Sequence, residues 1–144
     1  MFVRPNSSLF QLFNSGVTVV VAAGNENQDV VNSSPARVKQ AITVAASTIA
    51  DTKASFSNFG TGVDVWAPGL NVVSTFNDGS TKVLSGTSMA TPHVAGLVAY
   101  LLGLDSSLSP ANVDTTIKSQ ALDNVLTGVR EYYSPLCRLS KFRC

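Results

Sequence analysis

Apolar residues in this chain fall into short runs separated by polar, glycine-containing segments. Val17 to Ala23 is β-branched and apolar at nearly every position and stops at Gly24. Such a run predicts a strand buried on both faces, as in a parallel sheet covered by helices. Ala41 to Ala46 is a second run of the same kind. Ahead of the first, Leu9, Phe10, Leu12 and Phe13 predict a helix over Ser7 to Asn14 that ends near Asn14-Ser15-Gly16. Helix, turn and buried strand in succession is the rhythm of an α/β fold. Further strands are predicted at Val63 to Trp66 and Val72 to Phe76, with Asn77-Asp78-Gly79-Ser80 as a hairpin turn and Thr81 to Leu84 returning. Ser88 to Leu104 reads as a long helix, apolar almost all round, which places it centrally rather than on the surface. Ser109-Pro110 supplies an N-cap and first-turn proline for a last helix reaching about Gln120. The expected architecture is a mostly parallel sheet with flanking helices and a central helix that starts at Ser88.

A length of 144 residues fits one domain with one core. The formal net charge is +1 and no block of Lys or Arg occurs, so nothing points to a nucleic-acid partner. Val94 to Leu104 is broken by Gly96 and Gly103 and reads as a buried helix, so no membrane partner is expected. Met1 to Pro5 carries one Arg, with no apolar h-region behind it, and does not read as a secretory signal. Cys137 and Cys144 both lie in the last few residues, so no disulfide framework is expected in the body of the chain.

The most informative stretch is Ser85-Gly86-Thr87-Ser88-Met89-Ala90-Thr91-Pro92-His93-Val94-Ala95-Gly96. A turn of small residues leads into Ser88, and an apolar helix begins there. A helix N-terminus presents backbone N–H groups without intrahelical partners and the positive end of the helix dipole. That environment suits an oxyanion forming next to a serine hydroxyl. Taken alone, a Gly-x-Ser ahead of a helix is more often just an N-cap. The full string, however, resembles the serine signature of the subtilisin-like serine protease family (peptidase S8), closest to its proteinase K-like branch, and matches it at every fixed position. A helix running across Pro92 is implied by that resemblance and not by propensity.

Val20-Val21-Ala22-Ala23-Gly24-Asn25 resembles the family segment in which a strand ends and an Asn amide enters the oxyanion hole. The resemblance implies Ser88 as nucleophile and Asn25 as oxyanion donor. It also implies that Ala22, Ala23 and Gly24 form a wall of the substrate pocket, with Thr87 beside it, and small walls suit a large apolar or aromatic side chain. The family order of the triad is Asp, His, Ser, which puts the base ahead of Ser88. The one histidine, His93, follows the serine. Residues five apart on a helix lie roughly 140° apart around its axis, so His93 is expected to be a structural residue, buried or packed in the helix and not bonded to the Ser88 hydroxyl.

In the proteinase K-like branch, Val63-Asp64-Val65 aligns with a strand whose Asp binds calcium, with backbone carbonyls near Lys39 and Ala41 as partners. The resemblance thus allows a structural calcium at Asp64, while the chemistry requires no cofactor. The plain alternative is a polar residue on a half-exposed strand. The resemblance covers about Asn14 to Val129, less than half of a family catalytic domain. We therefore expect residues 1–129 to be the C-terminal part of such a domain, and 130–144 to be a tail unlike the family and poorly ordered. The resemblance implies a secreted endopeptidase acting on polypeptides, monomeric when complete. Lacking the His and Asp of the triad, the chain alone is expected to be inactive. Two other readings stay open at this point: a non-catalytic binding or structural module on the same scaffold, and a fragment that never folds alone.

Overall fold

A computed structural model describes residues 5–123 and 125–129. The tail over 130–144, including both cysteines, lies outside the described residues. Helix α1 spans Pro5–Asn14 and leads through a turn at Gly16 to strand β1, Val20–Ala22. Strand β2 is Ile42–Ser47 and β3 is Val65–Pro68. These three form a parallel sheet in the order β1-β2-β3, with Val20 opposite Ile42 and Val44 opposite Val65. Every residue of β2 is buried, as a central parallel strand requires. β1 is shorter than the apolar run that announced it, since Val17 is left exposed ahead of the sheet. β3 starts two residues later than expected, because Val63 and Asp64 form the approach to the sheet and not its ladder.

Side-chain alternation divides the sheet into two faces. Ile42, Val44, Ala46, Val65 and Ala67 point to one side and pack with Ala90, Val94, Leu97, Val98 and Leu101 of helix α2, Thr87–Leu104, and with Val113 and Ile117 of helix α3, Pro110–Gln120. Ala45, Trp66 and Ala23 point to the other side and pack with Val30, Ala36 and Val63 from the connecting loops. The expected hairpin is present as β4, Val72–Thr75, and β5, Thr81–Leu84, paired antiparallel and apart from the parallel sheet. Its turn closes with Phe76 N–H donating to Ser80 O at 2.8 Å. Helix α3 opens as its sequence predicts, Ser109 Oγ accepting from Asn112 N–H at 3.3 Å.

Helix α2 runs through Pro92, as the resemblance implies, and gives up there the one backbone hydrogen bond that a proline cannot donate. It departs from expectation in one respect, in not being enclosed: Ser88, Pro92, His93, Ala95, Gly96, Ala99 and Gly103 are exposed on the side away from the sheet. With a mean hydropathy of 1.2 over 18 residues it is long and apolar enough to cross a membrane by length and composition, which the shorter stretch Val94 to Leu104 did not suggest. Its buried side, however, packs on the sheet within this chain.

Candidate active site

Two chain segments meet where β1 ends and α2 begins. Ser88 is not the N-cap. Gly86 holds that position, Thr87 is the first helical residue and Ser88 the second, so the Ser88 N–H lies in the first turn, where no intrahelical acceptor exists. The turn ahead of it is anchored to the sheet, with Gly86 N–H donating to Gly69 O at 2.8 Å just beyond β3. Gly69 permits that approach: a Cβ there would lie 2.5 Å from the Cβ of Ala46 and 2.9 Å from Gly86 O. The nucleophile turn is thus fixed against two strands of the sheet.

Asn25 follows the end of β1, where Ala23 N–H still bonds to Val44 O at 2.9 Å. Its side chain reaches Thr87. Asn25 Oδ1 accepts from Thr87 N–H at 2.9 Å and from Thr87 Oγ1 at 3.0 Å, while Thr87 Oγ1 accepts from Gly24 N–H at 3.2 Å. Both partners of Oδ1 are donors, so the opposite end of the carboxamide is Nδ2, an N–H donor with no partner among the described residues. The point where a side chain on Gly86 would begin lies 3.7 Å from Asn25 Nδ2 and 3.7 Å from Ser88 N. Two N–H donors therefore flank one spot beside the turn, and both Asn25 and Ser88 are exposed there. An open cleft of about 290 Å³ next to it is lined by Ser88, Met89, Pro92 and His93 and by Val72, Val73 and Ser74 of β4.

The loop bearing Asn25 is held by a residue that the sequence did not single out. Asn58 is fully buried. Its Oδ1 accepts from Glu26 N–H and Gln28 N–H, each at 3.0 Å, and its Nδ2 donates to Ala23 O at 2.8 Å, Glu26 Oε2 at 2.8 Å and Ser33 Oγ at 3.0 Å. Asn58 N–H adds a bond to Gly24 O at 3.0 Å. Residues on both sides of Asn25 are thereby tied to one buried amide. Gly24 has φ +102°, and any Cβ there would overlap the Asn58 amide, so glycine is required by both backbone and space. The only advance signal of this arrangement is a Ser-Asn-x-Gly turn in an otherwise ordinary loop.

Of the other expected site residues, Ala22 and Gly24 are half-buried beside Asn25, and Thr87 is buried as the link between the two segments. Alternation turns the Ala23 side chain to the far face of the sheet, into the cluster with Trp66, where it is fully buried, so only its backbone is left to border the opening. His93 is corrected in part. It is exposed, not buried, and lines the same cleft as Ser88, because the side of α2 away from the sheet is open. Its ring Nδ1 pairs with Met89 O at 2.9 Å, one turn back, and no bond to the Ser88 hydroxyl occurs.

Asp64 stands just before β3. Its Oδ2 accepts from Thr43 N–H at 2.7 Å, and its Oδ1 lies 2.6 Å from Lys118 Nζ. Burial raises its pKa from the ordinary carboxylate value, against the opposing effects of Lys118 and the Thr43 N–H. Burial alone would lower the pKa of Lys118, but hydrogen bonds and charge from Asp114 and Asp64 raise it in net. The two directions are compatible: Lys118 faces two carboxylates, whereas Asp64 faces one ammonium and a second like charge. Lys118 stays charged. A calcium ion takes six to eight oxygens. Here each oxygen of Asp64 already has a partner, and among the described residues no group of three or more His, Cys, Asp or Glu gathers. Arg37 and Lys39 further line the adjoining cavity with Asp64 and Asp29. With an ammonium on Asp64 and two further cations alongside, the side chains here do not suit calcium.

The model of the subtilase family, Peptidase_S8, matches residues 5–134, beginning within α1 and running five residues past the expected end of the family-like segment. A cuticle-degrading protease of Metarhizium anisopliae is 52% identical over 124 residues, covering 86% of this chain and 32% of its own length. Subtilisin-like protease 7 of Arthroderma otae is 53% identical over 120 residues, covering 83% and 30%. A crystal structure of a cold-adapted subtilisin-like serine proteinase superposes with a TM-score of 0.89 at 40% identity, covering 96% of this chain and 50% of that one. The chain thus spans about a third of the length of its curated relatives and half of the solved one. On sequence and fold together, it belongs to the subtilase family of serine proteases.

Proposed function

We propose that this chain supplies the nucleophile and the oxyanion-binding face of a serine endopeptidase. The observation that carries the reading is the Asn25 carboxamide, oriented by Thr87 and set beside the Ser88 N–H at the mouth of an apolar helix. In the reaction, Ser88 Oγ attacks the carbonyl carbon of a peptide bond and loses its proton to a base. The carbonyl oxygen becomes an oxyanion between Asn25 Nδ2 and the Ser88 N–H. Collapse of that intermediate expels the amine and leaves an acyl-enzyme, which water then hydrolyses. Removing one such donor costs roughly 3 kcal/mol of transition-state stabilisation, a figure that comes from this same family. Ala22, Gly24 and Thr87 border the bound peptide.

The base is not among this chain's residues. Its one histidine is turned to Met89 O and sits five positions along the helix from Ser88. The chain alone is therefore a poor nucleophile, and the complete enzyme draws its His and Asp from residues outside it. The relatives named as cuticle-degrading proteases support polypeptide substrates and an extracellular site of action.

The test is reaction with a serine-directed phosphonate alongside a complete family protease. We expect slow modification confined to Ser88, abolished in Ser88→Ala and reduced about a hundredfold in Asn25→Ala. Rapid, stoichiometric labelling would mean that this chain holds a base after all. Modification of Ser88 that ignores Asn25→Ala would overturn the oxyanion assignment and favour a non-catalytic module.

A further inference from the structure

Away from the active site, three charged side chains converge where α3 crosses the sheet. Asp114 and Lys118 are one turn apart on α3, with Lys118 Nζ 2.8 Å from Asp114 Oδ2. The same ammonium reaches across to Asp64 Oδ1 at 2.6 Å. Asp64 in turn grips β2, its Oδ2 taking the Thr43 N–H at 2.7 Å and its own N–H donating to Thr43 O at 2.9 Å. Ile117, next to Lys118, is fully buried between α3 and the sheet. One ammonium thus joins β2, the approach to β3 and α3, above a packed apolar contact.

We infer that Lys118 is a built-in cation: its ammonium holds the position at Asp64 that a divalent metal would take, and fastens α3 to the sheet without metal. Both oxygens of Asp64 are occupied, one by that ammonium and one by a backbone N–H. The remaining acceptor of the cluster, Asp114 Oδ1, is buried without a partner, and a single oxygen does not chelate calcium. Arg37 and Lys39 line the cavity against Asp64 and repel a second cation. Lys118 supplies its charge on a covalent tether, so no free ion has to be captured.

Thermal unfolding of the full chain, in chelator and in millimolar calcium, tests this. A calcium site filled at a hundred times its Kd raises Tm by on the order of 10 °C. The parent chain should show no such rise. Lys118→Met should lower Tm by roughly 3–6 °C in chelator and acquire a calcium-dependent increase, because Asp64 and Asp114 are then left unpaired. Lys118→Arg should remain calcium-indifferent. A calcium-dependent rise in the parent that disappears in Asp64→Asn overturns the inference, while a rise that persists in Asp64→Asn lies elsewhere and supports it. Equal Tm values for parent and Lys118→Met, or a Lys118→Met that ignores calcium, also overturn it. Should Lys118→Met fail to fold, native mass spectrometry of the parent and of Asp64→Asn decides: a calcium-free parent supports the built-in cation, and a tightly bound calcium that Asp64→Asn loses refutes it.

Discussion

Ser88 and Asn25 border the same opening, yet they are held there by different forces. Ser88 rides on α2, and α2 is placed by packing: Ala90, Val94, Leu97, Val98 and Leu101 interlock with the inner face of the sheet. Asn25 sits on an irregular loop with little apolar surface to bury. Its position comes from hydrogen bonds, six of them through Asn58 and three through Thr87. Packing is non-directional and tolerates small shifts. A hydrogen-bonded loop tolerates less in geometry, because each bond weakens steeply away from its preferred distance and angle. The contrast suits the chemistry. A nucleophile that must advance by bond formation can ride on a packed helix, whereas a donor awaiting developing charge gains from being fixed beforehand.

Substitutions on either side separate the two forces. Leu97→Ala removes a buried side chain from the helix–sheet contact and should cost about 2–5 kcal/mol in urea unfolding. It should leave the Asn25 side-chain amide resonances in place, since no bond to that loop is touched. Asn58→Ala should cost less in total, about 2–3 kcal/mol, because several bonds are lost at about 0.5–1.5 kcal/mol each while exposed loop amides regain water. It should nevertheless move the Asn25 amide and speed hydrogen exchange at Glu26 and Gln28. If Leu97→Ala disturbed Asn25 as much as Asn58→Ala does, the division between packing and hydrogen bonding would be wrong.

The same division decides what the sequence made legible. Elements placed by packing carry a local pattern: the buried run of β2, the α2 apolar stretch, and the Ser109-Pro110 opening of α3 were all read within a few residues of their ends. The turn of the β4–β5 hairpin, written in Asn77-Asp78-Gly79-Ser80, was legible for the same local reason. Pairings between distant segments have no local pattern. Asn58 acts on Glu26 across 32 positions, and Lys118 reaches an Asp64 that the family resemblance had marked for calcium. The motif names Ala22, Ala23 and Gly24 as a segment, whereas strand alternation sends the Ala23 side chain to the cluster with Trp66. The rotation between Ser88 and His93 separates the two side chains, but it does not say whether the side of the helix bearing His93 is covered, and here that side is open.

Lys53 tests the hydrogen-bonded side at its weakest point. Its Nζ donates to Asn27 Oδ1 at 2.7 Å, at the far end of the Asn25 loop, and lies 5.4 Å from the centre of the Phe59 ring. Partial burial lowers its pKa, so the folded chain disfavours the charged form relative to the unfolded chain. The sign follows: below the lowered folded value both states are protonated and the penalty is complete. As pH rises through that value toward the unfolded one, about 10.4, the penalty is relieved and the parent gains stability. Lys53→Met keeps the apolar stem and removes the titration. The difference in unfolding free energy, parent minus variant, should therefore increase from neutral to alkaline pH, by less than about 0.5 kcal/mol because much of the side chain meets water. A difference that shrinks with pH would mean that Asn27 and the carbonyls of Ala54 and Ser55 outweigh the loss of water, making charge on Lys53 a fastening of the loop.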